Sequence, residues 1–577
     1  MPFPRTSIGP RAWSLAMLLG AGCSPESERA ATSSGGASGG ARAISQGAFA
    51  DESRSRGVLH LTARGGDDYF MPDSMGPGCA VFDADGDGRE DLFFVEAVRD
   101  QNGALESEAG RDRLLFQQAD GSFHPAAKGF GADDPRYGMG AAVADVEGDG
   151  DLDLFVTNYG SSRLFKNQGR GTFEDATEAS GIREEGWAAT AGFCDYDADG
   201  RPDLFVTRYL ELDPSVRGKG AGGAQDYPSP LQFSGLADRL WHNEGDGRFR
   251  DVSHEAGLAT RVGRGLGLAF LDLDGDARLD IFVANDSEPN FAWVQTAPGR
   301  FENRAFALGL AVNRVGRAQA NMGVAVGDVG GEGDFELFVT HLVAEANVLH
   351  QRGPGGTYAD VADRAGLSTA SLDLTGFGTQ FGDVENDGDQ DLLVLNGRIL
   401  RRGPRAAVDL PLHWVPYAEE CQLFLNDGSG RFRLAGAEEG GDFSRAIAVG
   451  RALVVADLDR DGGLDLVVAN GDGSSRLYRN RLEDRGHFLS VRARGADGKS
   501  DALGAVIEVR AGGRTWVRIL GTCQGYLSAG PPAAHFGLGE HSAVDGIVVH
   551  WPGGIRESFD ASPADQERVL VRGTGKR

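Results

Sequence analysis

Basic residues are scarce in this chain: 57 Lys and Arg stand against 85 Asp and Glu, for a formal net charge of −28. That balance excludes nucleic acid as a partner, because phosphate contacts need clustered Lys and Arg. Cysteine is sparser still, five in 577 residues, with no Cys-x-x-Cys and no thiol spacing suited to a metal. Cys79 and Cys194 lie in apolar runs and read as small buried residues. Sequence alone assigns no disulfide among Cys23, Cys79, Cys194, Cys421 and Cys523. Beyond the N-terminus no stretch is long and apolar enough for a membrane-spanning helix. His-Glu-x-x-His, a Walker loop and a haem-type Cys-x-x-Cys-His are missing, which removes the signatures of three enzyme classes. Carboxylates, by contrast, are so many that no glycosidase pair can be singled out.

What the chain has is a repeat. Seven acidic loops begin at Asp83, Asp145, Asp195, Asp272, Asp328, Asp383 and Asp457, each followed by a short apolar run. Oxygen ligands at positions 1, 3, 5 and 9, with a backbone carbonyl at position 7, suit calcium, which takes six to eight oxygens. The first loop supplies Asp83, Asp85, Asp87 and Asp91, with Arg89 at position 7. The second supplies Asp145, Glu147, Asp149 and Asp153 with Asp151, and the third Asp195, Asp197, Asp199 and Asp203 with Arg201. The fourth has Asp272, Asp274, Asp276 and Asp280 with Arg278, but Ala277 replaces the turn glycine, which implies strain at a left-handed position. The sixth has Asp383, Glu385, Asp387 and Asp391 with Asp389, and the seventh Asp457, Asp459, Asp461 and Asp465 with Gly463. The fifth departs: Asp328, Gly330, Glu332, Gly333 and Glu336 lack the position-3 ligand, so weak binding or none is expected there. Crowded carboxylates repel one another unless a cation sits between them. About six structural calcium sites are therefore expected. They are not EF-hands, since the bidentate Glu at position 12 is absent and strands flank the loop.

Each unit also carries a hairpin signal, as in Leu164-Phe-Lys-Asn167-Gln-Gly169 and Leu240-Trp-His-Asn243-Glu-Gly245. Asn and Gly supply the positive φ that a tight turn needs. A unit thus reads as strand, acidic loop, strand and hairpin: a four-stranded antiparallel sheet that must stack on others to bury both faces. The expected fold is all-β, a seven-bladed β-propeller of four-stranded blades plus a small C-terminal β domain. The seventh unit stops at Leu477-Tyr-Arg-Asn480, one strand short, and Val58–Gly66 is the segment expected to complete it.

Domain limits follow. Residues 1–23 read as an export signal, with Arg5 and Arg11 before the apolar run Ala12–Leu19. Gly20-Ala-Gly-Cys23 resembles a lipoprotein signal in which Cys23 is lipidated, although Gly20 stands where a Leu is usual; simple secretion is the alternative. Residues 24–56 are a flexible Ser/Gly/Ala linker, 57–480 the propeller and 481–577 the C-terminal domain. The expected location is the outer membrane or cell surface as a lipoprotein, or the exterior as a secreted protein.

The Asp-x-Asp-x-Asp-Gly-x-x-Asp-Leu loops with Gly-rich lead-ins resemble FG-GAP and VCBS repeats, the kind that form the integrin α-subunit propeller. Asp501-Ala-Leu-Gly-Ala-Val-Ile-Glu-Val509, His535-Phe-Gly-Leu-Gly539 and Val548-Val-His-Trp-Pro-Gly-Gly554 resemble the ASPIC and UnbV domain. The combination is similar to the bacterial relatives of cartilage acidic protein. Two insertions lengthen the repeat, at about 211–239 (Tyr227, Phe233) and 399–420 (His413, Trp414, Tyr417). Their aromatics would either stack on sugars or anchor a protein, or else fold back over blade edges. His341, His350 and His413 read as surface or strand residues, not ligands. The functional expectation is a monomeric, calcium-binding, non-catalytic adhesion or recognition module for a glycan or extracellular protein, touching a membrane only through a lipid anchor. The alternative is a propeller enzyme acting on polysaccharide, or a tailoring protein of secondary metabolism.

Overall fold

The computed structural model describes residues 44, 47–58, 64–97, 111–220, 223–403 and 409–577. The export signal, Cys23 and the linker up to residue 43 lie outside the described residues. Among the described residues, seven antiparallel sheets follow one plan. The first comprises Cys79–Phe82, Asp91–Phe94, Arg113–Gln117 and Phe123–Pro125. The second comprises Gly138–Ala144, Asp153–Asn158, Arg163–Asn167 and Phe173–Asp175. The innermost strands of the other five are Ala188–Cys194, Gly265–Leu271, Val324–Gly327, Gly376–Gly382 and Gly450–Ala456. These seven strands touch in ring order, and Gly450–Ala456 returns to Cys79–Phe82.

Residue size explains the layering. Innermost strands are rich in Gly and Ala, which lets seven backbones converge, and the larger residues among them, such as Phe82, Phe193, Phe377 and Leu453, are buried. The outermost strands bury one aromatic each, such as Phe123, Phe173, Phe249, Phe301, Tyr358 and Phe432, and leave most of the rest in water. Phe173 meets Phe82 edge-on, with ring centroids 6.4 Å apart.

Ring closure uses a different strand from the one expected. Phe49–Asp51 pairs with Ser475–Asn480 and completes the seventh sheet. This strand lies inside the stretch that composition assigns to the linker, ahead of Val58–Gly66, of which 59–63 lie outside the described residues. The physical reason is a motif. Phe49-Ala-Asp51-Glu-Ser53 repeats Phe173-Glu-Asp175-Ala-Thr177 and Phe249-Arg-Asp251-Val-Ser253. In each, the aromatic is buried, and the hydroxyl donates to the Asp and accepts a third-strand N–H. Ser53 Oγ takes Leu477 N at 2.9 Å, as Thr177 Oγ1 takes Leu164 N at 3.0 Å.

The C-terminal domain has two sheets. One holds Ala534–Gly539, His487–Arg494 and Gln566–Val571; the other holds Arg514–Ile519, Val506–Ala511, Ala543–Trp551 and Ile555–Pro563. Leu489, Ile507, Phe536, Val549 and Trp551 fill the space between them. The domain is not simply appended. Its segment 521–530 enters the axis of the ring. Ser528–Ala529 adds a fifth, parallel strand to the first sheet. Thr522 Oγ1 donates to Val143 O at 2.9 Å, Leu268 N to Gly525 O at 3.0 Å, and Ser528 Oγ to Leu453 O at 3.0 Å. Tyr526, fully buried, donates to Met75 O at 2.7 Å and lies 5.3 Å from the Phe377 ring. Glycine is required here: a Cβ on Gly525 would lie 1.8 Å from Val324 O.

The acidic loops join the first strand of each sheet to the second; the two insertions join the second to the third. In an antiparallel sheet these lie at opposite ends, so the insertions cap the end away from the loops. Their aromatics face inward. Trp414 and Tyr417 are fully buried, and Tyr227 and Phe233 nearly so. Trp414 Nε1 donates to Arg64 O at 2.6 Å, Tyr417 Oη to Asp226 Oδ1 at 2.7 Å, and Tyr227 Oη lies 2.8 Å from His413 Nε2. Of the two readings of these aromatics, the covering one holds.

Candidate metal centres

The loop shape comes from its own carboxylates. Asp83 at position 1 accepts N–H bonds from Gly86, Asp87 and Gly88 at 2.8–3.1 Å, and Asp145 and Asp272 repeat the pattern. The tight curl needs a left-handed residue at position 6. Glycine supplies it in the first, second, third, sixth and seventh loops; Ala277 adopts φ 64° in the fourth. Position 9 fastens the loop to the sheet. Asp153 accepts Val146 N and Asn167 N, each at 2.8 Å, and Asp91, Asp280 and Asp391 do likewise. Each of these oxygens keeps a second lone pair.

Burial makes the clusters costly without a counter-ion. Desolvation pushes Asp91, Asp195 and Asp280 up to about 7 and Asp153 up to about 8, with neighbouring carboxylates adding to the rise. Carboxylate oxygens converge within 4.8 Å at Asp83/Asp85/Asp91, Asp195/Asp197/Asp203, Asp272/Asp274/Asp276 and Asp383/Glu385/Asp391. Buried oxygens without a hydrogen-bond partner sit in the same loops: Asp195 Oδ1, Asp203 Oδ2, Asp274 Oδ1 and Asp457 Oδ1, while Glu385 meets only the Asp391 carboxyl. Orphaned anionic oxygens around one point fit a hard divalent cation. The sixth loop is the most enclosed, with Asp383, Glu385 and Asp391 only 1–3% exposed. The C-terminal domain seals it: Gly486 N donates to Glu385 O and Gly539 N to Asn386 O, both at 2.8 Å. A Cβ on Gly537 would lie 1.9 Å from Asp383 Oδ2.

Position 7 has a second use. The side chains of Arg89, Arg201 and Arg278 turn back onto Asp87, Asp199 and Asp276. Their Nε atoms donate to third-strand carbonyls at 2.8–3.1 Å. Asp389 pairs with Arg514 at 2.7 Å. The fifth loop keeps its curl, with Asp328 accepting Glu332 N and Gly333 N, and Glu336 reaches Val329 N at 3.0 Å.

A further set of residues escaped the sequence reading. Extending the strand register one step places a third-strand residue opposite each position 9. It is Phe116, Lys166, His242, Val294, Gln351, Leu425 and Arg479 in turn. Lys166 Nζ lies 2.9 Å from Glu147. Arg479 pairs with Asp459 and sits 2.6 Å from Asp461, which Arg485 also reaches at 2.8 Å. The second and seventh loops therefore hold an internal cation, whereas the first, fourth and sixth face an apolar residue. The signal was legible as the residue before the hairpin Asn: Lys166-Asn167, His242-Asn243, Arg479-Asn480.

Cys79, Cys194 and Cys421 are buried and unpaired, and Cys523 is half-buried and unpaired. His341 and His350 are buried strand-end and strand residues, not surface ones. Between the C-terminal domain and the third, fourth and fifth sheets lies a cleft of about 820 Å³. Leu271, Val517 and Trp551 wall it, and Asp197, Arg278 and the Glu508–His550 pair (2.6 Å) line its polar parts.

Comparison with known proteins agrees with this architecture. Residues 83–156, 145–206, 233–283 and 272–339 match the FG-GAP-like repeat, and 495–577 match ASPIC and UnbV. Cartilage acidic protein 1 of Homo sapiens is 26% identical over 393 residues, 59% of this chain and 59% of that protein. The Xenopus tropicalis protein of the same name is 28% identical over 326 residues, 55% of this chain and 46% of that one. The chain thus spans about half to three-fifths of these relatives. An Agrocybe aegerita lectin structure, described as recognising non-reducing terminal N-acetylglucosamine, covers 70% of this chain and 93% of its own at 15% identity and a TM-score of 0.37. The chain is thereby placed among proteins that join FG-GAP-like repeats to an ASPIC and UnbV domain.

Proposed function

We propose that this chain is an exported, calcium-stabilised propeller that recognises an extracellular glycan or protein without catalysing a reaction. The observation that carries the calcium reading is the sixth loop: three buried carboxylates converge, and Glu385 meets no donor other than the Asp391 carboxyl. Residues Asp383, Glu385 and Asp391 would hold the ion, and its charge would offset theirs. The cation holds a loop between two strands, which makes it structural. With the insertion aromatics buried, the 820 Å³ cleft is the concave surface best suited to a ligand. No helix among the described residues is long and apolar enough to cross a membrane; any anchorage rests on Cys23.

The test joins two measurements. Calorimetric titration of EDTA-treated protein with calcium should show several sites and a rise in melting temperature; no uptake refutes the calcium reading. A glycan and protein array, with and without calcium, should then give binding that substitutions of exposed cleft residues such as Arg510→Ala abolish. The Glu508–His550 pair inside the cleft favours a second reading, an acid–base enzyme acting on polysaccharide or on a secondary metabolite. Turnover lost on Glu508→Gln would support that reading over the first.

A further inference from the structure

The third loop differs from the others in its donor atoms. His242 stands opposite Asp203, and its Nδ1 lies 3.1 Å from Asp203 Oδ1, 3.5 Å from Asp197 Oδ2 and 3.5 Å from Tyr196 Oη. His242, Asp197 and Asp199 form one convergent group, and Asp195, Asp197 and Asp203 form an overlapping one. A second observation points to a ligand. Asp203 is fully buried, and its Oδ2 has no hydrogen-bond partner; neither has the buried Asp195 Oδ1.

We propose that the third loop binds a borderline divalent transition metal, of the zinc or cobalt class, through His242 Nδ1, Asp197 and Asp203, while its neighbours serve calcium. Calcium takes oxygen ligands, and an imidazole nitrogen in the shell selects against it. The spacing agrees. Donors about 2.1 Å from a central ion lie about 3.0 to 3.4 Å apart in octahedral or tetrahedral geometry. The His242–Asp203 separation of 3.1 Å falls within that range, and the His242–Asp197 separation of 3.5 Å lies just outside it, within a small side-chain adjustment. The competing arrangement is a protonated His242 acting as a fixed cation, as Lys166 does in the second loop.

The experiment uses the full chain, stripped with EDTA and then saturated with calcium to fill oxygen-only loops. Cobalt or manganese is added as probe, and zinc is titrated in competition. The expected result is one equivalent of probe bound despite excess calcium, with nitrogen coupling visible in the spin-echo spectrum of the manganese form. His242→Gln, the residue type of the fifth loop, should weaken zinc about tenfold or more and remove the nitrogen signal. His242→Lys, copying the second loop, keeps a folded protein in hand if the glutamine variant does not fold; it should bind no probe at this loop. Unchanged zinc affinity in either variant, displacement of the probe by calcium, or absence of nitrogen coupling overturns the assignment. Calcium stoichiometry is read in the same titration, so the two metal readings fail separately.

Discussion

Replacing Glu385 with Gln should change the sign of its own effect with calcium. In the metal-free protein, Glu385 is a buried carboxylate beside Asp383 and Asp391, and its oxygens meet no donor other than the Asp391 carboxyl. An unsatisfied buried polar group costs about 1–3 kcal/mol, and more when charged. Glu385→Gln removes the charge at nearly constant volume, so the variant should be more stable than the parent in EDTA, by an amount in that range. With calcium the balance reverses. An ion at about a thousand times its Kd stabilises the fold by about 4 kcal/mol, and each tenfold loss of affinity removes about 1.4 kcal/mol. Loss of one of three anionic ligands should therefore leave the variant less stable than the parent in millimolar calcium. Differential scanning calorimetry of both proteins, with EDTA and with calcium, gives four melting temperatures whose order crosses. A variant that melts lower in both conditions, by the same margin, would refute the reasoning; so would a parent indifferent to calcium.

Other outcomes follow from the same geometry. Arg479→Ala should remove the guanidinium that Asp459, Asp461 and Asp465 share; the protein should then melt lower in EDTA, and calcium should both restore it and bind with one more equivalent. Phe49→Ala should cost about 3–5 kcal/mol, since Phe49 is 1% exposed and packs on Phe443 at 5.8 Å; a change below about 1 kcal/mol in chemical denaturation would argue against closure by this strand. Burial pushes the His341 and His350 imidazoles down, to about 3 and about 4. Below pH 6.5 the unfolded chain gains protons that these folded side chains do not, so the stability they confer falls with pH by about 1.4 kcal/mol per unit per histidine until the folded values are reached. His350→Leu should abolish one such slope, so that the parent loses ground to the variant between pH 6.5 and 4; parallel curves would contradict the burial argument.

Much of the fold was legible because repetition amplifies weak signals. One Asp-Gly-rich turn is ambiguous, but seven with the same offsets place the innermost strands and the hairpins together. The closing strand was missed for the opposite reason. Phe49-Ala-Asp51 is three residues long and abuts a Ser/Gly/Ala stretch, so composition outweighed the Phe-x-Asp-x-Ser pattern shared with Phe249-Arg-Asp251-Val-Ser253. The loops were readable one ligand at a time, yet their electrostatics were not. Lys166 and Arg479 reach the acidic clusters only because the hairpin folds the third strand against the second, a relation between strands and not a local pattern. Burial of Trp414 and Tyr417 was likewise invisible, since it depends on Asp226 and Arg64 arriving from distant parts of the chain.

Synthesis runs from one end of the chain, and the segment around Tyr526 emerges after every blade. Ser53 must wait for Leu477, 424 residues further on, and the hub of the wheel arrives later still. A nascent chain halted before residue 521 would carry all its spokes around a bare axle, with Met75 and Phe377 facing solvent instead of an aromatic ring. The axis is thus filled only by the last part of the chain to be made, and a ring expressed without residues 521–530 should melt lower than the full chain.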